Sequence, residues 1–225
     1  MSLILKDIKV SYEGMKFPIL EFDNLILNEG LNFLIGKNGS GKSTLLKALS
    51  NYSNQVSVEG LIELDGEKLI NGYVGLVSQD PEKSINLELS FLENLILAKT
   101  NGWNHLSFLT QISRVEENHV IQFLKGFNNW ELIEALLNVE ANNLSSGQKQ
   151  ILAIFMRVIR YRKVLLLDEC TANLDYINTG IIIDILSEMG RNGTIIVFAT
   201  HQRELLETDA SNIYLVENGN ITRKV

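Results

Sequence analysis

The stretch that decides the fold is GKNGSGKST, residues 36–44, which directly follows the short apolar run LNFLI at 31–35. It satisfies the pattern G-x-x-x-x-G-K-[ST], and SGKSTLLKALS (40–50) continues with helical spacing. A strand, a glycine loop and a helix in this order are what a phosphate-binding loop requires. We therefore predict that the phosphates of a nucleotide bind here.

The side chains of this loop suggest how a nucleotide would be held. The glycines let backbone N–H groups curl around the phosphates, Lys42 can reach the β and γ oxygens, and the Ser43 hydroxyl can bind Mg²⁺. The whole loop therefore supplies candidate nucleotide-binding residues: Gly36, Lys37, Asn38, Gly39, Ser40, Gly41, Lys42, Ser43 and Thr44.

A second motif, VLLLDE at 164–169, is an apolar run that ends in two acids. Such runs are typical of buried parallel strands, whose carboxyl ends bind ligands in α/β proteins. Asp168 is placed to hold Mg²⁺, and Glu169 could polarise a water for attack on a γ-phosphate. Both motifs together indicate a nucleotide triphosphatase. A GTPase would need a guanine-reading element such as N-K-x-D, which we do not find, whereas a small-molecule kinase stays open on these two motifs.

Composition narrows the class of protein. The 225 residues are 45% hydrophobic, enough for the core of one large α/β domain, and the formal net charge is -7. An acidic chain is a poor partner for nucleic acid, which needs a basic face. Cys170 is the single cysteine, so no internal disulfide can form. No apolar run approaches the roughly 18 residues of a membrane helix, and the start does not resemble a signal peptide, so we expect a cytosolic protein.

The order of elements predicts an α/β fold. Strands and helices alternate over the second half, which implies a parallel sheet, whereas 84–140 reads as a helical insertion. Asp65-Gly66 and Asn218-Gly219 are typical hairpin turns. A further helix is expected over QRELLETD (202–209).

With these residues in view, the chain resembles the ATP-binding cassette (ABC) ATPases over essentially its whole length. The resemblance is carried by four features, which follow one another along the chain: the phosphate loop, LSSGQ at 144–148, the acidic strand and His201. It implies a P-loop NTPase fold with a parallel core sheet, an antiparallel β subdomain and a helical insertion. The expected division is a nucleotide-binding core of 1–79 and 141–225 and a helical subdomain of 80–140.

The resemblance also implies why a second Ser/Gly loop is present. In the family two cassettes pack head to tail, and each ATP lies between the phosphate loop of one and the signature loop of the other. The start of a helix offers amides and a positive dipole end to an anion. The residues implied to bind the partner's nucleotide are Ser145, Ser146, Gly147 and Gln148. An N-cap role for Ser145 on a core helix is a compatible alternative.

Four further positions match the family one by one. Tyr12 matches the aromatic residue that stacks on adenine, and Gln79 matches the glutamine that reaches Mg²⁺ and the attacking water. Asp175 matches an aspartate at the dimer interface, although it could equally cap a helix. His201 matches the histidine that contacts the γ-phosphate. The implied catalytic residues are thus Glu169, His201 and Gln79, and the implied metal ligands are Ser43, Gln79 and Asp168.

Three positions depart from the usual family pattern. Ser146 replaces the first glycine of LSGGQ, which would matter if that position required a positive φ. Cys170 replaces a common proline, and Gln202 replaces a common acid after the histidine. We expect the site to tolerate all three.

The function implied is an ATP-hydrolysing subunit of an ABC transporter that uses ATP and Mg²⁺. Its partners would be a second ABC ATPase subunit, identical or not, and integral membrane permease subunits, with no nucleic acid. It would lie on the cytoplasmic face of the membrane and serve a bacterial-type importer. A non-transport single-cassette ATPase is the alternative, and a regulator without turnover is disfavoured because Glu169 and His201 are intact.

Overall fold

The computed structural model describes residues 1–50, 56–69, 71–100, 114–159, 163–202 and 211–224, so most of the helix predicted at 202–209 lies outside the described residues. In chain order the strands and helices of the described residues are β1 (Ser2–Tyr12), β2 (Leu20–Asn28), β3 (Gly30–Ile35), α1 (Lys42–Ser50), β4 (Val56–Leu64), β5 (Glu67–Lys68), β6 (Val74–Val77), α2 (Phe91–Lys99), α3 (Arg114–Leu124), α4 (Trp130–Leu136), α5 (Ser146–Val158), β7 (Val164–Asp168), α6 (Tyr176–Arg191), β8 (Ile195–Thr200), β9 (Ser211–Glu217) and β10 (Asn220–Lys224).

The strand before the phosphate loop lies inside a six-stranded sheet of order β10-β9-β3-β8-β7-β6. All neighbouring pairs are parallel except β9 with the edge strand β10. Every residue of β8 is buried, as are the first four residues of β7. Burial on both faces explains why these strands are continuous apolar runs. The predicted parallel core is confirmed.

A four-stranded antiparallel sheet of order β2-β1-β4-β5 forms the second layer of strands. The hairpin between β4 and β5 turns at Asp65 (φ 52°) and Gly66 (φ 82°), and the β9–β10 hairpin turns at Asn218 (φ 51°) and Gly219 (φ 79°). Asp-Gly and Asn-Gly tolerate two consecutive positive φ angles, which is the geometry of a tight hairpin. Both predicted hairpins and the predicted antiparallel β subdomain are present.

Helix α1 is anchored through its apolar side. Leu45, Leu46 and Leu49 are at most 2% exposed and belong to one core cluster with residues of both sheets. Burial of each such side chain contributes about 1.5–3 kcal/mol, so the start of α1, where the phosphate loop ends, is held firmly. None of the described helices is both long and apolar enough to span a membrane.

Contacts group the chain into two units, Met1–Gln79 with Arg162–Ala172 and Met189–Val225, and Asp80–Tyr161 with Asn173–Glu188. The first unit contains both sheets. The second contains the described helices of the range predicted as a helical subdomain, 80–140, together with α5 and most of α6. Phe155 on α5 packs edge-on against Phe123 and Phe127, with ring centroids 6.2 and 5.0 Å apart. Packing of the apolar face of α5 against these residues accounts for its grouping with the preceding helices.

Candidate nucleotide-binding site

The two fixed glycines of the phosphate loop occupy positions where a side chain would collide. A Cβ at Gly36 would lie 2.4 Å from the carbonyl oxygen of Val216. At Gly41, where φ is +106°, a Cβ would lie 2.6 Å from Cδ2 of Leu20. The close backbone approach at the first position and the left-handed conformation at the second both require glycine.

Lys42 is 4% exposed, and its ammonium group donates to two carbonyls of its own loop. The acceptors are the backbone oxygens of Gly36 at 2.9 Å and Lys37 at 3.2 Å. These bonds fix the curvature of the loop and keep the charge close to its backbone amides. A buried ammonium gains from a nearby anion, which a bound phosphate would supply.

The predicted metal ligands Ser43 and Asp168 meet across the sheet edge. The Ser43 hydroxyl donates to Oδ1 of Asp168 at 2.8 Å. Burial raises the pKa of Asp168 above its ordinary value, against the lowering effect of the Ser43 hydrogen bond. A hydroxyl and a carboxylate are oxygen ligands of the kind that Mg²⁺ prefers, so the residues present fit this cation.

Most of the predicted hydrolytic groups line one cavity of about 290 Å³. Its walls are formed by Ile19, Asn38, Gly39, Gly41, Lys42, Ser43, Thr44, Gln79, Asp168 and Glu169. Gln79 reaches it from just beyond β6, and the two acids reach it from the end of β7. The parallel sheet thus brings residues far apart in sequence to the edge where ligands bind in α/β proteins.

Glu169 and His201 face each other at the ends of adjacent strands. Nδ1 of His201 lies 3.5 Å from Oε1 of Glu169, and their side chains are 50% and 24% exposed. Glu169 has a φ of 49°, a left-handed conformation that is strained for a non-glycine residue. Two backbone bonds support it: its N–H donates to Ala199 at 3.0 Å, and its carbonyl accepts from Ala172 at 3.1 Å. Strain at a supported polar residue indicates a functional position.

The phosphate loop also borders a larger cavity on the side of the β9–β10 hairpin. This cavity has a volume of about 690 Å³ and includes residues 36–40, His201 and the hairpin turn at 217–219. His201 therefore lies beside the loop as well as beside Glu169. Tyr12 lies near the loop's other end, with its hydroxyl 3.4 Å from Oγ1 of Thr44.

The signature loop begins α5 with a reciprocal cap. The Gln148 N–H donates to Oγ of Ser145 at 3.3 Å, and the Ser145 N–H donates to Oε1 of Gln148 at 2.9 Å. The N-cap alternative for Ser145 is therefore observed, and the S-x-x-Q spacing at 145–148 is the sequence signal for it. Ser146 is the first helical residue and is not among the positive-φ positions, so its replacement of glycine causes no left-handed strain.

Asp175 caps α6 and lies close to the signature loop within the same unit. Both its oxygens accept from Asn178: Oδ1 from the backbone N–H at 2.8 Å and Oδ2 from Nδ2 at 2.7 Å. These bonds hold the pKa of Asp175 below its ordinary value. Gly147 touches the same asparagine, since a Cβ there would lie 2.6 Å from Cγ of Asn178. Ser145–Gln148 and Asp175 thus belong to the second unit, whereas the phosphate loop, Asp168, Glu169 and His201 belong to the first.

One contact of the site was missed from sequence. The Thr171 hydroxyl donates to Oε1 of Gln202 at 2.8 Å, and the Gln202 N–H donates to Oγ1 of Thr200 at 3.0 Å. Sequence reasoning noted Gln202 only as a departure from the family pattern and did not name Thr171. Their pairing links positions 31 residues apart, which no local pattern reveals.

Together, the parallel sheet, the phosphate loop and the acidic strand end define a P-loop nucleotide triphosphatase. Residues 24–172 match the family model described as ABC transporter. The chain therefore belongs to the ABC transporter family and is an ATP-binding cassette with ATPase activity, as the sequence predicted.

The relatives show the same membership. The chain is 32% identical over 203 residues to "Phosphate import ATP-binding protein PstB" of Thermococcus kodakarensis, covering 84% of this chain and 77% of that protein. It is 31% identical over 237 residues to "Multidrug resistance-like ATP-binding protein MdlB" of Buchnera aphidicola, covering 97% of this chain. The chain spans only 38% of the length of MdlB.

Solved structures agree in fold. The structure of cbiO1 from Clostridium perfringens, described as part of the ABC transporter complex cbiONQ, superposes with a TM-score of 0.79 at 24% identity. The match covers 98% of this chain and 86% of that one. At this identity the likeness supports the ABC cassette fold and carries no further argument.

Proposed function

We propose that this chain is the ATP-hydrolysing subunit of an ABC transporter, acting as a head-to-tail dimer around two ATP and driving a separate membrane permease. The observation that carries the proposal is the 290 Å³ cavity, in which the phosphate loop, Gln79, Asp168 and Glu169 converge. Each group has the chemistry that one part of ATP hydrolysis requires.

In the proposed reaction the loop amides and Lys42 hold the β- and γ-phosphates. Glu169 accepts the proton of the attacking water, and His201 donates a hydrogen bond to the γ-phosphate. Ser43, Asp168 and Gln79 would hold Mg²⁺, which supplies neutralising charge to the phosphates when bound. Tyr12 would stack on the adenine ring.

The dimer proposal rests on the second unit. The capped start of α5 presents an exposed Ser145 and backbone amides, which suit a phosphate on a partner cassette. Tyr176 and Ile177, directly after Asp175, are 91% and 74% exposed. Two large apolar side chains exposed next to each other are typical of a surface that a partner covers. The partner would be a second cassette, identical or related.

Import is the direction that we propose for the transporter. PstB, of whose length this chain spans 77%, is named for phosphate import. MdlB, of whose length it spans only 38%, is named for multidrug resistance. The helices α2, α3 and α4 would then form the surface that receives the permease. The cassette would act at the cytoplasmic face of the membrane, and the net charge of -7 argues against a nucleic-acid partner.

The deciding experiment compares Glu169→Gln with the natural chain. We expect phosphate release to fall by about 10²–10⁴-fold, the range for loss of a general base, and light scattering to show a dimer that forms only with Mg-ATP. Glu131→Gln, at an exposed position on α4, is the matched control and should hydrolyse ATP normally. Normal turnover of Glu169→Gln would overturn the assignment of the base. A monomer at saturating ATP would overturn the pairing of identical cassettes.

A further inference from the structure

We infer that Thr171 and Gln202 form a positioning pair that holds the two catalytic side chains Glu169 and His201 in register. This inference rests on the proposed function of the site and concerns how its geometry is maintained. Neither residue lines either cavity of the site, so neither is expected to touch the nucleotide. Their effect would be exerted through the segments to which they belong.

The pair joins two segments beyond the point where the sheet ends. The pairing of β7 with β8 ends at Asp168 and Ala199, one residue before Glu169 and two before His201. Thr171 lies two residues after Glu169, and Gln202 lies one residue after His201. The 2.8 Å bond between their side chains therefore continues the connection past the last ladder position.

Burial makes this bond costly to break. Thr171 is 0% exposed and Thr200, which accepts from the Gln202 N–H, is 2% exposed. A buried hydroxyl that loses its partner keeps its desolvation cost, so the segment would shift to satisfy it. Such a shift would alter the 3.5 Å approach of His201 to Glu169, which is long enough to be sensitive to small movements.

Glu169 and His201 are the two residues that need this support. Glu169 adopts a left-handed conformation that its neighbours must impose. His201 is half exposed and follows the last residue of its strand, so the sheet ladder does not hold it. A neutral hydroxyl–amide bond fixes both segments without adding a charge beside the phosphates.

The test uses steady-state ATP hydrolysis by the full chain. Thr171→Val removes the donor and Gln202→Leu removes the acceptor, each with little change in size. We expect kcat to fall by about 10–100-fold in each, the rate equivalent of leaving the other side chain of the pair without its hydrogen-bond partner. The KM for ATP should stay within about two-fold, because the phosphate loop is intact. The double variant should be no worse than either single one, since the residues act as a unit.

Conservative variants and a control separate positioning from general loss of structure. Thr171→Ser keeps the donor and Gln202→Glu keeps an acceptor, so both should stay within about three-fold of the natural kcat. Thr100→Val removes a hydroxyl bond to Ile96 at the end of α2 and should leave kcat unchanged. Unchanged kcat in Thr171→Val and Gln202→Leu, multiplying effects in the double variant, or a matching rise in KM would overturn the inference. Absence of hydrolysis by the natural chain would instead overturn the proposed function.

Discussion

Substitution of Gly147 by alanine tests the packing that places the signature loop beside the start of α6. An added Cβ would lie 2.6 Å from Cγ, 2.7 Å from Oδ1 and 2.8 Å from Cβ of Asn178. Contacts this short force the asparagine to move, and its side chain cannot move far without losing its 2.7 Å bond to Asp175. Overpacking of this kind costs about 1–3 kcal/mol.

For a chain of this size 1 kcal/mol corresponds to about 2–4 °C in Tm, so Gly147→Ala should lower Tm by about 2–12 °C. Urea denaturation followed by circular dichroism would give the free energy of unfolding directly. Turnover should fall as well, because the clash would displace the starts of α5 and α6, which carry Ser145 and Asp175 of the proposed dimer interface.

The control is a double-mutant cycle with Asn178→Gly, which removes all three clashing atoms. In that background Gly147→Ala should be neutral or stabilising by up to about 1 kcal/mol, since alanine is the better helix former. Asn178→Ala should rescue only in part, because its Cβ remains 2.8 Å away. An equal loss of stability from Gly147→Ala in the natural and Asn178→Gly backgrounds would refute the steric reasoning.

Substitutions at three further positions test other parts of the site. Burial raises the pKa of Asp168, so its ionisation opposes folding at neutral pH. Asp168→Asn should therefore raise the Tm of the nucleotide-free protein at pH 7. This gain should vanish as pH falls below the ordinary pKa of an aspartate, because Asp168 is then protonated in both the folded and the unfolded protein. A gain that persists in acid would show that charge is not the cause. Tyr12→Phe loses only the 3.4 Å contact with Thr44 and should bind ATP within about two-fold of normal, whereas Tyr12→Leu should bind about 2–10-fold more weakly in a fluorescence titration; equal affinities would exclude stacking. Ser146→Gly restores the common signature but should not raise turnover, and it should lower the free energy of unfolding by at most about 1 kcal/mol, because the backbone there is already helical. A large gain in hydrolysis would show that the serine impairs the loop.

Local patterns were sufficient for much of the fold. The phosphate loop, the hairpins at Asp65-Gly66 and Asn218-Gly219 and the buried strand before Asp168 all depend on neighbours in sequence, and all were predicted. The grouping of α5 with the preceding helices has no such local signal, because it depends on packing of Phe155 against Phe123 and Phe127. That packing joins residues about 30 positions apart and leaves no periodic trace.

In the site, too, motifs identified residues by their type, whereas the contacts between residues could be seen only in the structure. Ser43, Gln79 and Asp168 could be named from motifs, and a parallel sheet brings them to one edge whatever their neighbours are. The left-handed conformation of Glu169 had no sequence signal, because glutamate rarely adopts it. The Thr171–Gln202 bond was likewise invisible, since both residue types are common in surface turns and only the fold makes them partners.

The ends of β7 and β8 determine which residues of the site are held by backbone pairing and which need side-chain hydrogen bonds. The main-chain ladder fixes Asp168 against Ala199, so this carboxylate needs only the Ser43 hydroxyl to set its direction. Glu169 and His201 lie beyond the last ladder pair; the Glu169 N–H still donates to Ala199, but the ladder does not set the direction of either side chain. Side-chain bonds can then supply the restraint, and among the described residues the neutral bond of Thr171 to Gln202 joins the two segments that carry them. Register of the catalytic pair should therefore depend on two residues with no charge and no contact with ATP.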